Sequence, residues 1–202
     1  MTRLISACLV LLLLSIISCK KDSNPVGATT TDQILPLKTG NKWVLHYTSF
    51  DTAGTATSSG YDTLVVGRDT TIGSEKWFQL GDQNYFWTNR SDGLWRQRAG
   101  TSTESPQLIF KYPGNANDTW TVVESSISSQ LTLAATAAST TVPLGAFSCY
   151  FYHTRRAGDS YDSEDDYLKP GVGIVAWELF SKRSSGLVYR TNRAELISYM
   201  LN

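Results

Sequence analysis

The chain has 202 residues, 41% of them hydrophobic and 18% charged, and Lys+Arg 18 balance Asp+Glu 18. This is the length of one ordinary domain, and the composition excludes a polytopic membrane protein and a wholly disordered chain. With no net charge the chain exerts no long-range pull on nucleic acid, and two His with three Cys leave little for a metal cage.

Met1-Thr2-Arg3 supplies one positive charge, and Leu4 to Ile17 then run apolar with only Ser6, Cys8 and Ser15 interrupting. The run is shorter than the ~20 residues a spanning helix needs. A basic start, an apolar middle and a small residue before a cleavage point make residues 1–18 a secretory signal. Here the residue after the cleavage point is Cys19.

Ile16-Ile17-Ser18-Cys19 closely resembles the lipobox of bacterial lipoproteins. The resemblance implies that the Cys19 thiol receives a diacylglyceryl group, that cleavage makes Cys19 the mature N-terminus, and that the freed amine is acylated with a palmitate-type chain. Two or three chains hold far more firmly than one, because each buried methylene contributes roughly 0.8 kcal/mol. The alternative is an ordinary secretory or uncleaved signal with a chance cysteine. Loss of residues 1–18 removes Arg3 and no acid, leaving 17 basic against 18 acidic side chains. Cys8 leaves with the signal, so Cys149 stays as the lone thiol and no internal disulfide is expected.

Lys20-Lys21-Asp22-Ser23-Asn24-Pro25 and the polar stretch after it make residues 19–33 a flexible tether. Cys-Lys-Lys-Asp also looks like the start of many Bacteroidetes lipoproteins. That resemblance implies the outer membrane, with the periplasmic and surface-exposed faces both open.

Residues 34–202 read as a single antiparallel β domain, because period-two alternation recurs and no apolar 3.6-residue period persists over three turns. Trp43, Leu45 and Tyr47 share one face of the first strand. Leu64-Val65-Val66 and Trp77-Phe78-Gln79-Leu80 follow. Tyr85-Phe86-Trp87-Thr88 and Leu94-Trp95-Arg96-Gln97 flank Asp92-Gly93, which supplies the positive φ of a hairpin turn. Leu108 to Tyr112 and Trp120 to Val123 are short strands. Ile127, Ser129, Leu131, Leu133, Ala135 and Ala137 fall on one face of a long one, and Val142 to Ala146 is a turn. Phe147, Cys149, Phe151 and His153 share one face of the next strand, Tyr150 and Tyr152 the other. Gly173 to Phe180 and Leu187 to Leu201 close the chain. Nine or ten such strands predict an all-β fold: one strongly curved antiparallel sheet, half-barrel or barrel-like, with a β-sandwich as the alternative.

Four segments together resemble a broad group of uncharacterised envelope lipoproteins: Pro36 to Trp43, Val66 to Phe78, Ser91 to Trp95, and Tyr167 to Val175. The resemblance implies a strongly bent sheet similar to the half-barrels of periplasmic lipoprotein carriers, and it carries over no catalytic residues.

Asp159 to Asp166 holds five carboxylates in eight residues, and Asp162, Glu164 and Asp166 alternate as calcium ligands sometimes do. EF-hand spacing fails, since Tyr167 stands where that loop needs Gly and Gly173 where it needs Glu. A solvated hairpin tip facing Arg155, Arg156 and Lys169 explains the run, and no metal or other cofactor is expected. Gly158-Asp159-Ser160 resembles the nucleophile block of one lipase family but lacks its setting. His46 and His153, the only histidines, are read as an outer-face residue and a strand-end residue. Cys149, between Phe147 and Phe151, reads as an inert core thiol. Asp51-Thr52-Ala53, Asp62-Thr63-Leu64 and Asp69-Thr70-Thr71 resemble the O-glycosylation motif of the Bacteroidetes.

Trp77, Tyr85, Trp87 and Trp95 lie on neighbouring strands and are the candidates to face a ligand, the alternative being that they fill the core. The expected function is therefore a non-enzymatic, lipid-anchored envelope protein that binds a ligand or an envelope protein. The runner-up is a carrier of lipid or another apolar ligand on the concave sheet face. A third reading, an envelope hydrolase, needs two carboxylates or a Ser/His pair converging in a cleft, and nothing in the sequence pairs them.

Overall fold

Alternating side chains between turn residues build twelve strands. These are β1 (Lys42–Phe50), β2 (Ala56–Ile72), β3 (Glu75–Leu80), β4 (Tyr85–Arg90), β5 (Gly93–Arg98) and β6 (Gln107–Lys111), then β7 (Thr119–Glu124), β8 (Ile127–Val142), β9 (Gly145–Arg156), β10 (Tyr161–Lys169), β11 (Gly173–Lys182) and β12 (Val188–Met200). The computed structural model describes residues 33–202 except 82–83, 101–104, 125–126 and 157–160. The signal, Cys19, the tether before residue 33, Gly158-Asp159-Ser160 and the side chain of Asp162 lie outside the described residues.

All twelve strands form one antiparallel sheet in the order β6-β5-β4-β3-β2-β1-β12-β11-β10-β9-β8-β7. Consecutive strands pair except β6 and β7, and β1 pairs with β12, so the first and last strands meet in the middle of the sheet. The sheet curls into a nearly closed barrel, which rules out the sandwich. Its free edges, β6 and β7, meet at a seam spanned by side chains. The Trp120 indole donates to the Leu108 carbonyl at 2.9 Å, and the Tyr152 hydroxyl on β9 donates to the Lys111 carbonyl at 2.9 Å.

The hairpin at Asp92-Gly93 forms as expected, with Arg90 opposite Gly93 and Gly93 at φ 144°. Twelve strands exceed the expected nine or ten, and two segments differ from their sequence reading. β2 extends back through the polar run Ala56–Gly60, which lacks an apolar pattern and is held by pairing with β1. From Tyr161 to Asp166 the acidic run is part of β10, paired on both sides by β9 and β11, and not a solvated hairpin tip. The predicted face of β8 holds as far as Leu133; register shifts around Ala135 then break the alternation.

One end of the barrel is closed by the segment that leads into β1. Ile34, Leu35 and Leu37 are buried there. Asn89 donates to the Leu35 carbonyl at 2.9 Å, and Gly171 N–H to the Gln33 carbonyl at 2.9 Å. Asn41 donates to the Pro36 carbonyl and accepts from the Asn202 backbone, tying the chain's entry to its exit. Above this plug Trp43, Leu94, Leu133, Leu168, Val175 and Leu196 are all fully buried. Each large side chain so buried contributes roughly 1.5–3 kcal/mol of transfer free energy, making this end the stability core.

Candidate functional site

Inward positions along each strand change character in one direction. On β1 the order is Trp43, Leu45, Tyr47; on β5, Leu94 then Arg96; on β9, Tyr152, Thr154, Arg156; on β10, Leu168, Asp166, Glu164. The first member of each set is fully buried, and Tyr47 at the far end is 37% exposed. Between the two ends lies a cavity of about 840 Å³. Leu45, Leu64, Leu80, Trp87, Leu131 and Ala194 form its apolar wall, and Tyr47, Tyr61 and Ile127 edge the end away from the plug. The volume falls within the range of small-molecule sites.

A layer of charge crosses the cavity between the apolar wall and this rim. Arg96 on β5 holds its guanidinium over the Tyr85 ring at 4.4 Å and the Trp87 ring at 5.3 Å. Arg156 on β9 donates to Glu164 on β10 at 2.8 Å. Asp166 lies two residues along the same inward face. Burial pushes the Asp166 carboxyl well above its ordinary range, and the carboxylates of Glu164 and Asp165 push it further, against the pull of Arg156 and Arg96. Burial also lowers the basicity of Arg96, which nonetheless stays cationic at neutral pH. Stacking on two rings leaves the in-plane N–H edges of a guanidinium as its hydrogen-bonding surface.

Of the four aromatics singled out from the sequence, Tyr85 and Trp87 line the cavity. Trp77 and Trp95 do not. They lie on the opposite sheet face, since Trp87 pairs with Phe78 and Arg96 while Trp95 pairs with Thr88. There they flank Arg90, whose guanidinium sits 5.5 Å from Trp77 and 4.3 Å from Trp95 and pairs with Glu75 at 2.6 Å. Trp95 also donates to Asp92 at 2.8 Å. The Trp87 indole nitrogen is buried with no hydrogen-bond partner among the described residues.

Glu164 and Asp166, offered above as weak calcium candidates, share the cavity face, so two carboxylates do converge. No group of three or more His, Cys, Asp or Glu side chains that could hold a metal occurs among the described residues. His153 stands inside β9, not at its end, directly opposite Asp165 on β10, with Nδ1 2.6 Å from the carboxylate. His46 packs its ring 5.2 Å from Tyr61. Cys149 is fully buried, and burial pushes its thiol up to about 11. Thr52 and Thr63 of the glycosylation-like motifs are exposed.

Sequence reading missed Arg96 as a site residue and gave Arg156 only a surface role. The available signal was the alternation itself: in Leu94-Trp95-Arg96 the charge takes the face of a buried leucine, and in Asp166-Tyr167-Leu168 the carboxylate does.

No protein-family model matches the chain, and no curated protein matches it. Two solved structures resemble it. One, named as an exported protein with a YmcC-like fold from Bacteroides fragilis, is 12% identical, covers 83% of this chain and 98% of its own, and gives a TM-score of 0.43. The other, named as a lipoprotein from Parabacteroides distasonis, is 13% identical, covers 84% of this chain and 99% of its own, and gives a TM-score of 0.40. At that similarity neither says what this chain binds.

Proposed function

We propose that the protein is a non-enzymatic, lipid-anchored envelope module whose barrel takes up a small amphipathic ligand. The observation that carries this reading is the cavity of about 840 Å³ with apolar residues toward the plug and Arg96, Arg156, Glu164 and Asp166 nearer the rim. An apolar wall with a few convergent polar groups is the ordinary form of a binding site. The carrier reading, lipid or another apolar ligand, is thereby narrowed to a ligand with a polar end.

Glycosidase chemistry needs two carboxyl groups on either side of the bond that breaks. Glu164 and Asp166 instead project side by side from one strand, roughly 6.5 Å apart along it by the usual rise per residue. Glu164 is also tied to Arg156. This favours binding over hydrolysis. The lipobox-like segment ending at Cys19 supports the anchor, and the outer membrane is the location its neighbouring residues favour.

The anchor is tested on protein purified from native membranes, and the cavity on the unlipidated chain. Intact-mass spectrometry is expected to show a chain beginning at an acylated Cys19; an unmodified Cys19 would remove the anchor. For the cavity, N-phenyl-1-naphthylamine is expected to fluoresce with the unlipidated mature chain, residues 19–202. Ser129→Trp, which places a large ring at a cavity-lining position, is expected to weaken that signal at least tenfold. Equal binding by the variant would place the probe elsewhere.

A further inference from the structure

We infer that the open end of the barrel is a docking surface for a lipid bilayer, from which the cavity draws its amphipathic ligand. The inference rests on the ligand-binding reading above and names the partner that the mouth of the cavity meets.

Large apolar side chains that stay exposed are gathered at this end. Among the described residues, Leu187 is 56% exposed, Val123 54%, Val188 49% and Ile127 43%, and all four stand at the tips of the β7–β8 and β11–β12 hairpins. Tyr47 and Tyr61, also exposed, edge the mouth itself. Val65 and Met200, of the same exposed class, flank Lys42 near the plugged end. Single exposed apolar residues are ordinary, whereas a set collected around one opening marks an interaction surface.

The two hairpin tips reach equally far along the sheet. Ala194 on β12, Trp177 on β11, Asp166 on β10, Tyr152 on β9 and Leu133 on β8 pair in one continuous row. Val188 and Ile127 each stand six residues from that row in the direction away from the plug, roughly 20 Å by the usual rise per residue. The β11–β12 tip is braced there. Arg183 N–H donates to the Leu187 carbonyl at 2.9 Å, and the Arg183 guanidinium donates to the Thr52 carbonyl of the β1–β2 tip at 2.6 Å. Leu187 and Val188 are thus presented outward on a fixed turn.

Their surroundings suit a bilayer. Lys182 and Arg183 are exposed beside Leu187 and Val188, and Asp51 at the β1–β2 tip directs one carboxylate oxygen to the backbone N–H groups of Ala53 and Thr55. Aliphatic tips with adjacent cations and tyrosines match the membrane interface: the aliphatic groups enter the acyl boundary while the cations stay among the headgroups. The tether is also long enough. The fourteen residue steps from Cys19 to Gln33 span up to about 48 Å. β12, thirteen residues from its tip to the plugged end, spans about 43 Å. An anchor at Cys19 therefore lets the mouth face the membrane that holds it, and an amphipathic ligand would enter from the acyl region without exposing its tail to water.

The test is flotation of the unlipidated mature chain, residues 19–202, with vesicles of three parts phosphatidylethanolamine to one of phosphatidylglycerol. The wild type is expected to float. Leu187→Asp combined with Val188→Asp, and separately Val123→Asp, are expected to lower the bound fraction at least fivefold. Val65→Asp combined with Met200→Asp, at the plugged end, is expected to leave it unchanged. N-phenyl-1-naphthylamine fluorescence without vesicles reports the fold and the cavity, and the Leu187/Val188 variant is expected to match the wild type there. A wild type that does not float, or tip variants that float as well as it does, overturns the docking surface, while naphthylamine binding keeps the cavity reading. An equal loss in the Val65/Met200 variant overturns the placement at the mouth. Self-association abolished by the Leu187/Val188 change, without flotation, would make the partner a second copy and overturn the lipid assignment. Flotation with no naphthylamine binding would uphold the docking surface and remove the ligand reading.

Discussion

On β5 and β10 the plugged end and the charged layer of this barrel lie two or four residues apart on the same face, yet the two regions obey opposite rules. Trp43, Leu94, Leu133 and Leu168 are fully buried among apolar neighbours. Arg96, Arg156, Glu164 and Asp166 occupy inward positions farther from the plug, where charge is partly cut off from water. The first set gains by burial; the second bears a desolvation cost that its mutual pairing offsets only in part. A strand that could have continued its apolar face and instead changes to charge has given up stability at those positions, and recognition is the use we propose for such a layer.

The largest expected effect breaks the plugged end. Trp43 is completely buried, and its indole donates to the Val172 carbonyl at 2.6 Å. Trp43→Ala leaves a cavity and an orphaned carbonyl, and is expected to cost about 3–5 kcal/mol in urea denaturation. A loss under 1 kcal/mol would show that this end is not the stability core.

Gly173→Ala tests how tightly the plug is seated. The glycine sits at φ 99°, and a Cβ there would lie 2.5 Å from Leu35 Cδ1 and 3.0 Å from Trp43 Nε1. Backbone strain together with displacement of the leucine is expected to cost on the order of 2 kcal/mol. A neutral result would mean that Leu35 moves freely and the plug is loosely held.

The two regions differed just as much in how far they could be read from sequence. Trp43-Val44-Leu45, the Asp92-Gly93 turn and the alternation up to Leu133 are local patterns, and each predicted its strand. The charged layer is non-local: Arg96 and Asp166 are brought together only by the curl of the sheet through β6 to β10. Read alone, Asp159 to Asp166 is a hydrophilic run, and solvent is the ordinary destination of such runs. The place of Glu164 and Asp166 inside the barrel depends on partners supplied by β5 and β9. Likewise, adjacent Tyr85, Phe86 and Trp87 plainly divide between two faces, but which face encloses a cavity depends on the sign of curvature. That sign put Trp77, itself buried, and Trp95 on the sheet face away from the cavity.

The smallest expected effect has the opposite sign and sharpens the contrast most. Asp166 is more readily protonated in the folded protein than in the unfolded chain, because burial and the nearby carboxylates outweigh its arginine partners. The native state therefore binds more protons than the unfolded state over the range above an ordinary aspartate pKa of about 3.9. Stability must then fall as pH rises from that value through the raised one, and stay lower beyond it. Asp166→Asn keeps the shape and removes the ionisation. The variant is expected to match the wild type near pH 4.5 and to exceed it by on the order of 1 kcal/mol at pH 8. Urea midpoints at the two pH values measure the difference. A variant less stable at pH 8 would mean that the ionised network holds the barrel together, and the layer would then belong with the plug as structure.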